Sequence, residues 1–79
     1  MNVARPRHPM PADVSAVLAE RGVLDDYRSR PAYQRNDYLG WIAAAKRPET
    51  RQRRIDQMLD ELECGGVYMK MDHPPSRKG

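Results

Sequence analysis

Three kinds of side chain in this sequence could do chemistry: one thiol, two imidazoles and a tight run of bases. Cys64 is the single cysteine, and it stands against Gly65 and Gly66, a helix-stopping pair. A helix C-terminus carries partial negative charge, which raises a thiol pKa and leaves the sulfur a poor nucleophile. A lone cysteine also makes no internal disulfide. His8 and His73 lie near opposite ends of the chain, the latter with Asp72 as its neighbour. Metal ligands come in closely spaced sets, so no metal is expected on these residues. No catalytic or cofactor-binding residue is assigned, no cofactor is expected, and the chain reads as a non-enzyme. A helical bundle of this size seldom encloses a cleft around a positioned acid, base or nucleophile.

The bases carry more information. Lys46, Arg47, Arg51, Arg53 and Arg54 all fall within residues 45–54, AKRPETRQRR. A helix starting at Pro48 turns about 100° per residue, which puts Arg51 on one stripe with Ile55, Met58, Leu59 and Leu62. Arg53 then lies on the far side and Arg54 on the flank. Arg51 is therefore expected as architecture, its methylenes along apolar neighbours and its head on a carboxylate or an aromatic face. Asp25, Asp26 and Asp37, with Tyr38 and Trp41, are its expected partners. The outward residues Lys46, Arg47, Arg53 and Arg54 form a candidate contact surface. Bases at a helix N-terminus oppose the helix dipole, as do Asp56, Asp60, Glu61 and Glu63 toward the other end. Such an arrangement suits tertiary pairing, an anionic partner or a plain solvated face.

Helices must position these residues. The first is expected over residues 12–21, with Pro11 at its first turn, Asp13 near its N-terminus and Gly22 as its cap. Val14, Val17 and Leu18 make its apolar stripe. A short helical turn over 23–29 carries Leu24 and Tyr27 and stops before Pro31. The second long helix, 32–46, places Tyr38, Trp41, Ile42 and Ala45 on one face. Leu39 widens that face to about 160°, which marks the central helix, with Trp41 as the anchor of the core. The third runs from Pro48 to the glycine pair, leaving little more than Arg47 as connector. The segment VYMKM could be a strand, but a lone strand has nothing to pair with, so an extended strap is expected.

The resulting expectation is an all-α fold: a small orthogonal bundle of three main helices plus one short helical turn, with an extended C-terminal strap. Along the chain this gives a flexible arm (1–10), a helical domain (11–66), the strap (67–71) and a disordered tail (72–79). The structural core is expected to hold Tyr38, Trp41, Ile42, Arg51, Ile55, Leu59 and Leu62.

Length and charge bound the rest. Seventy-nine residues amount to one small domain, which buries only ~60% of its unfolded surface and is marginally stable. A net charge of +3 and a pI near 9.4 permit nucleic acid without demanding it. The opening MNVARPRHPMP has charge and three prolines where a signal peptide would have an apolar run. No stretch approaches the ~20 apolar residues of a membrane helix. A cytoplasmic protein with no membrane insertion is expected.

Residues 33–62, YQRNDYLGWIAAAKRPETRQRRIDQMLDEL, resemble the OmpD-associated, YdeI-type family, often labelled bacteriocin-protection proteins. Tyr38, Trp41 and Ile42 make its Tyr-x-x-Trp-Ile pattern, followed by AKRPETR over 45–51 and then Ile55. With the proline-led first helix and the Leu24–Tyr27 turn, the resemblance covers roughly residues 9–65. It implies a small all-helical module, here read as a stand-alone member, with a physiological association and no assigned catalytic residues. An interaction module that docks another protein is therefore the first functional expectation, helped by the adaptable side chains of Met69 and Met71. Nucleic-acid or phosphate-anion binding is the alternative. Two helices joined by a tight corner, with Gln52, Arg53 and Arg54 at the start of the second, are similar to a helix-turn-helix.

Overall fold

Among the described residues, prolines place three of the four α-helix starts. The computed structural model describes residues 7–78, and there Pro11 immediately precedes α1 (Ala12–Glu20). The short α2 (Leu24–Ser29) follows, Pro31 precedes α3 (Ala32–Ala43), and Pro48 opens α4 (Pro48–Cys64). Proline fixes φ near the helical value and lacks an N–H that the first turn could not use. α3 ends three residues before the expected Lys46, so the connector to α4 is residues 44–47. Of the arm expected over 1–10, residues 1–6 lie outside the described residues, as does Gly79. Residues 7–10 run along α3: the His8 N–H donates to Asn36 Oδ1 at 2.8 Å, and Met10 packs against the core.

The periodic apolar positions meet in one core. Val14 and Leu18 of α1, Tyr27 of α2, Tyr38, Leu39 and Ile42 of α3, and Ile55, Met58, Leu59 and Leu62 of α4 are all buried. Each such side chain contributes about 1.5–3 kcal/mol of apolar burial, enough to hold helices that are individually too short to persist. Tyr38 is the largest fully buried side chain, while Trp41 is partly buried at the edge of this cluster. Arg54 explains the edge position. Its guanidinium lies 5.3 Å from the Trp41 ring centroid, and Nη1 donates to the Trp41 carbonyl at 2.6 Å, tying α4 to α3 behind the corner.

The fold is mostly helical but not all-α, which corrects the expected strap. β1 (Val67–Tyr68) and β2 (Met71–Asp72) form a two-stranded antiparallel sheet, with Val67 opposite Asp72 and Tyr68 opposite Met71. Met69 and Lys70 make the two-residue turn, both with positive φ, 49° and 63°. A turn of this hand matches strand twist but normally needs Asn-Gly, because other residues are strained at positive φ. The compensation comes from α4: Glu61 Oε1 accepts the Met69 N–H at 2.8 Å, and Oε2 accepts the Lys70 N–H at 2.9 Å. Hydrogen bonds to an ionised group contribute about 1.5–3 kcal/mol each, comparable to the strain they offset. Of the segment read as a disordered tail, Asp72 belongs to β2 and Pro74–Ser76 form a 3-10 turn. The His73 N–H donates to the Gly66 carbonyl at 2.7 Å, Gly66 N–H donates to Ser76 Oγ at 3.1 Å, and Lys78 pairs with Asp26 at 3.2 Å.

Candidate functional site

Beneath the hairpin lies a buried polar centre of Arg30, Gln34 and Glu61. Arg30, held at the end of α2, donates from Nη2 to the Glu61 carbonyl at 3.2 Å and from Nη1 to Gln34 Oε1 at 3.3 Å. Gln34 passes its amide to the Tyr33 hydroxyl at 3.1 Å. The Glu61 carboxylate accepts from the Tyr38 hydroxyl, from Gln57 Nε2 at 3.1 Å and from the two turn N–H groups. Every oxygen is engaged, as a buried carboxylate requires. Burial pushes the Tyr38 phenol far above its ordinary value, and the hydrogen bond to Glu61 pushes the same way. This centre is scaffold. It fixes the hairpin against α3 and α4, and among the described residues no buried side-chain nitrogen or oxygen lacks a hydrogen-bond partner.

What the scaffold presents is an aromatic face. Tyr68 stands edge-on to Tyr38 at 5.5 Å and to Tyr33 at 6.0 Å between ring centroids, and its hydroxyl donates to Asp37 Oδ2 at 2.6 Å. Cross-strand partners share a face of a sheet, so Met71 lies beside Tyr68. Tyr33 is 50% exposed and Met71 58% exposed, the large apolar side chains most open to solvent among the described residues. Tyr33, Tyr68 and Met71 thus form one apolar surface, and Met69 is partly buried against the core.

The basic corner separates into two kinds of residue. Lys46, Arg47 and Arg53 are exposed, and none has a carboxylate partner among the described residues. Among the described residues Arg53 bonds Thr50 Oγ1, at 3.4 Å. Arg54 is withdrawn onto Trp41, as described above. Arg51 makes a two-point ion pair, but with Asp13 of α1 in place of Asp25, Asp26 or Asp37: Nη1 to Oδ2 is 2.6 Å and Nη2 to Oδ1 is 3.1 Å. The Arg51 hydrogen bond holds the Asp13 carboxyl below its usual range, and Asp13 in turn raises the arginine. The acidic end of α4 is also spoken for: Arg21 bonds Glu63 and lies 3.5 Å from Asp60, while Glu61 points inward.

The reactive side chains are dispersed. Cys64 is an exposed free thiol at the end of α4. His8 lies on α3, its ring against Gly40 where a Cβ would meet Nε2 at 2.7 Å. His73 Nδ1 is 2.8 Å from Ser76 Oγ, whose own proton goes to the His73 carbonyl at 3.0 Å. Among the described residues no group of three or more His, Cys, Asp or Glu side chains could hold a metal ion, and no helix is long and apolar enough to cross a membrane.

Sequence reasoning missed Arg30, Gln34 and Glu61 as a unit. Gln34 was findable, since it sits one turn before Tyr38 on the same stripe. Glu61 lies on the flank of α4, where nothing local distinguishes it from the solvated acids around it.

No curated protein and no solved structure matches this chain. The family model described as "Bacteriocin-protection, YdeI or OmpD-Associated" matches residues 8–65, the four helices, and leaves the hairpin outside the match. With about three quarters of its length under that match, and with the helical pattern of Tyr38, Trp41, Ile42 and AKRPETR at its centre, the chain belongs to the bacteriocin-protection, YdeI or OmpD-associated family.

Proposed function

We propose that the protein is a non-catalytic interaction module that docks another protein through the face formed by Tyr33, Tyr68 and Met71. One observation carries this reading: the two most exposed large apolar residues converge on the same tyrosine. Aromatic and methionine side chains are the usual anchors of protein contacts, being large, rigid or adaptable, and inexpensive to desolvate. The hairpin that carries two of them is clamped by Glu61, so little ordering cost remains at binding. The dispersal of Cys64, His8 and His73 supports the non-catalytic part. A cytoplasmic setting is in keeping with the free thiol of Cys64. The test is photo-crosslinking in the host cell from a benzophenone amino acid placed at position 71 and, separately, at position 53. The expected result is a discrete cross-linked partner from position 71, lost with Tyr33→Ser and absent from position 53. A partner captured from position 53 and not from 71 overturns the assignment of the face.

A second reading, nucleic-acid binding at the corner, is supported by the three exposed bases Lys46, Arg47 and Arg53, which lack carboxylate partners among the described residues. Arg54 does not join them, because it is committed to Trp41. Amide NMR titration with a short DNA duplex and a short RNA separates the readings. Saturating shifts over residues 46–54 that persist at physiological salt, with a log–log salt slope of about −3 for three phosphates, favour nucleic acid. Shifts absent at low and at physiological salt remove it.

A further inference from the structure

A cavity of about 270 Å³ opens between the residues preceding α1, α2 and α3. Its walls are Arg7, His8, Tyr27, Arg35 and Asn36, and Leu39 gives it an apolar floor. Among the described residues no aspartate or glutamate lines it, and neither Arg7 nor Arg35 pairs with a carboxylate. Two arginines on one hollow without a counter-charge repel each other, an arrangement that an oxyanion relieves.

Arg35 and His8 are held in place by the fold. Arg35 is gripped through Nε, which donates to the Arg30 carbonyl at 3.1 Å, leaving both Nη groups without a protein partner among the described residues. A guanidinium held this way offers two parallel donors with little rotamer freedom left to lose. His8 is fixed by its N–H on Asn36 Oδ1 at 2.8 Å and by its ring seated on Gly40, where a Cβ would come within 2.7 Å. Burial raises the Tyr27 phenol above its ordinary value, while the charge of Arg35 acts in the opposite sense, so the phenol stays a proton donor near neutral pH and within electrostatic reach of Arg35. The volume lies just below the ~300–1,000 Å³ of ordinary ligand pockets, which limits the occupant to roughly one ring.

We propose that this cavity binds a small organic oxyanion, a carboxylate or a phosphate monoester, with Arg35 and Arg7 on the anionic head and Leu39 under its carbon body. The site is separate from the Tyr33–Met71 face, and it stands or falls without it.

The experiment is an amide NMR titration of the full chain with benzoate and with phenyl phosphate, against sodium chloride at matched ionic strength. Saturable shifts at His8, Arg35 and Asn36 beyond those of chloride are expected, and whichever compound binds tighter assigns the head group. Arg7→Gln and Arg35→Gln are each expected to weaken binding about tenfold, the loss of a charge-assisted hydrogen bond. Arg35→Gln also removes the bond to Arg30, so Arg7→Gln, at an exposed position, is the deciding variant. Unsaturable shifts with both compounds, or unchanged affinity in folded Arg7→Gln, overturn the proposal.

Discussion

The Tyr38 hydroxyl donates to the Glu61 carboxylate, so the centre of α3 and the last turn of α4 are joined by one buried hydrogen bond. The same carboxylate accepts the Met69 and Lys70 N–H groups. A core helix contact and a surface turn therefore share one acceptor, and the hairpin keeps its shape only while the bundle does.

Removing that acceptor should cost more than an ordinary helix substitution. Glu61→Ala strands the Tyr38 hydroxyl and leaves two strained turn residues without compensation. The expected loss is about 2–4 kcal/mol, from unsatisfied buried groups and lost charge-assisted bonds. Glu61→Gln retains an acceptor oxygen and should lose less. Urea denaturation measures both. An unchanged midpoint in Glu61→Ala means that the turn is held by something else.

Tyr38 makes stability sensitive to base. Burial, with the Glu61 hydrogen bond, raises its folded pKa above the ordinary 10.0. A raised pKa means that the stabilisation is fully present below pH 10 and is lost as pH rises through the folded value, because the unfolded chain releases the proton first. Tyr27 shifts in the same direction through burial, so it adds to the effect. Between pH 8 and 11.5 the unfolding free energy should fall above pH 10, with a slope of at most about 1.4 kcal/mol per pH unit for one tyrosine, and the melting temperature with it. Tyr38→Phe should be less stable at neutral pH and flatter in this window. An equal slope in both proteins removes Tyr38 as the cause.

The helices were legible because their signals are local. Proline starts, a glycine stop and i, i+3, i+4, i+7 stripes lie within one element, and α4 follows them from Pro48 to Cys64. The hairpin was not legible, because its turn residues, Met69 and Lys70, carry no left-handed propensity. What holds them is a carboxylate eight and nine residues back, reached only after α4 has packed. Arg51 failed for a similar reason: expected in the core, it lies a third exposed, and its partner among the chain's eleven acids is Asp13 of α1, 38 residues away in sequence. Trp41 shows the limit of periodicity alone. Its place on the apolar arc was clear, yet Arg54 covers its ring and keeps it at the margin.

The Arg51–Asp13 pair predicts an acid-side effect. Its folded Asp13 pKa lies below the ordinary 3.8, so its contribution is present above that value and is lost as pH falls through the folded one. Both side chains are substantially open to water, 33% and 60% exposed, so solvent screens the pair and the effect is small. Melting curves between pH 2 and 6 should show Arg51→Gln converging with the parent protein at the acid end. A constant gap across this range would mean that Arg51 contributes by packing its methylenes, independent of the ion pair.

Gly65 tests whether the segment after the hairpin is part of the fold. It closes α4 with φ 71° and ψ 160°, a conformation that costs other residues about 1–3 kcal/mol. Sterics add to this. A Cβ at position 65 would lie 2.7 Å from the Ser76 carbonyl oxygen and from Lys78 Cγ. The lysine can swing aside, but the Ser76 carbonyl is backbone and moves only if residues 73–78 lift off. Gly65→Ala should therefore lower stability and, in the still-folded protein, expose the His73 N–H that donates to the Gly66 carbonyl. Hydrogen exchange at His73 reads this directly. Faster exchange there, with protection in α3 unchanged, means that the final segment docks on Gly65. Unchanged exchange at His73 means that the cost is backbone strain alone.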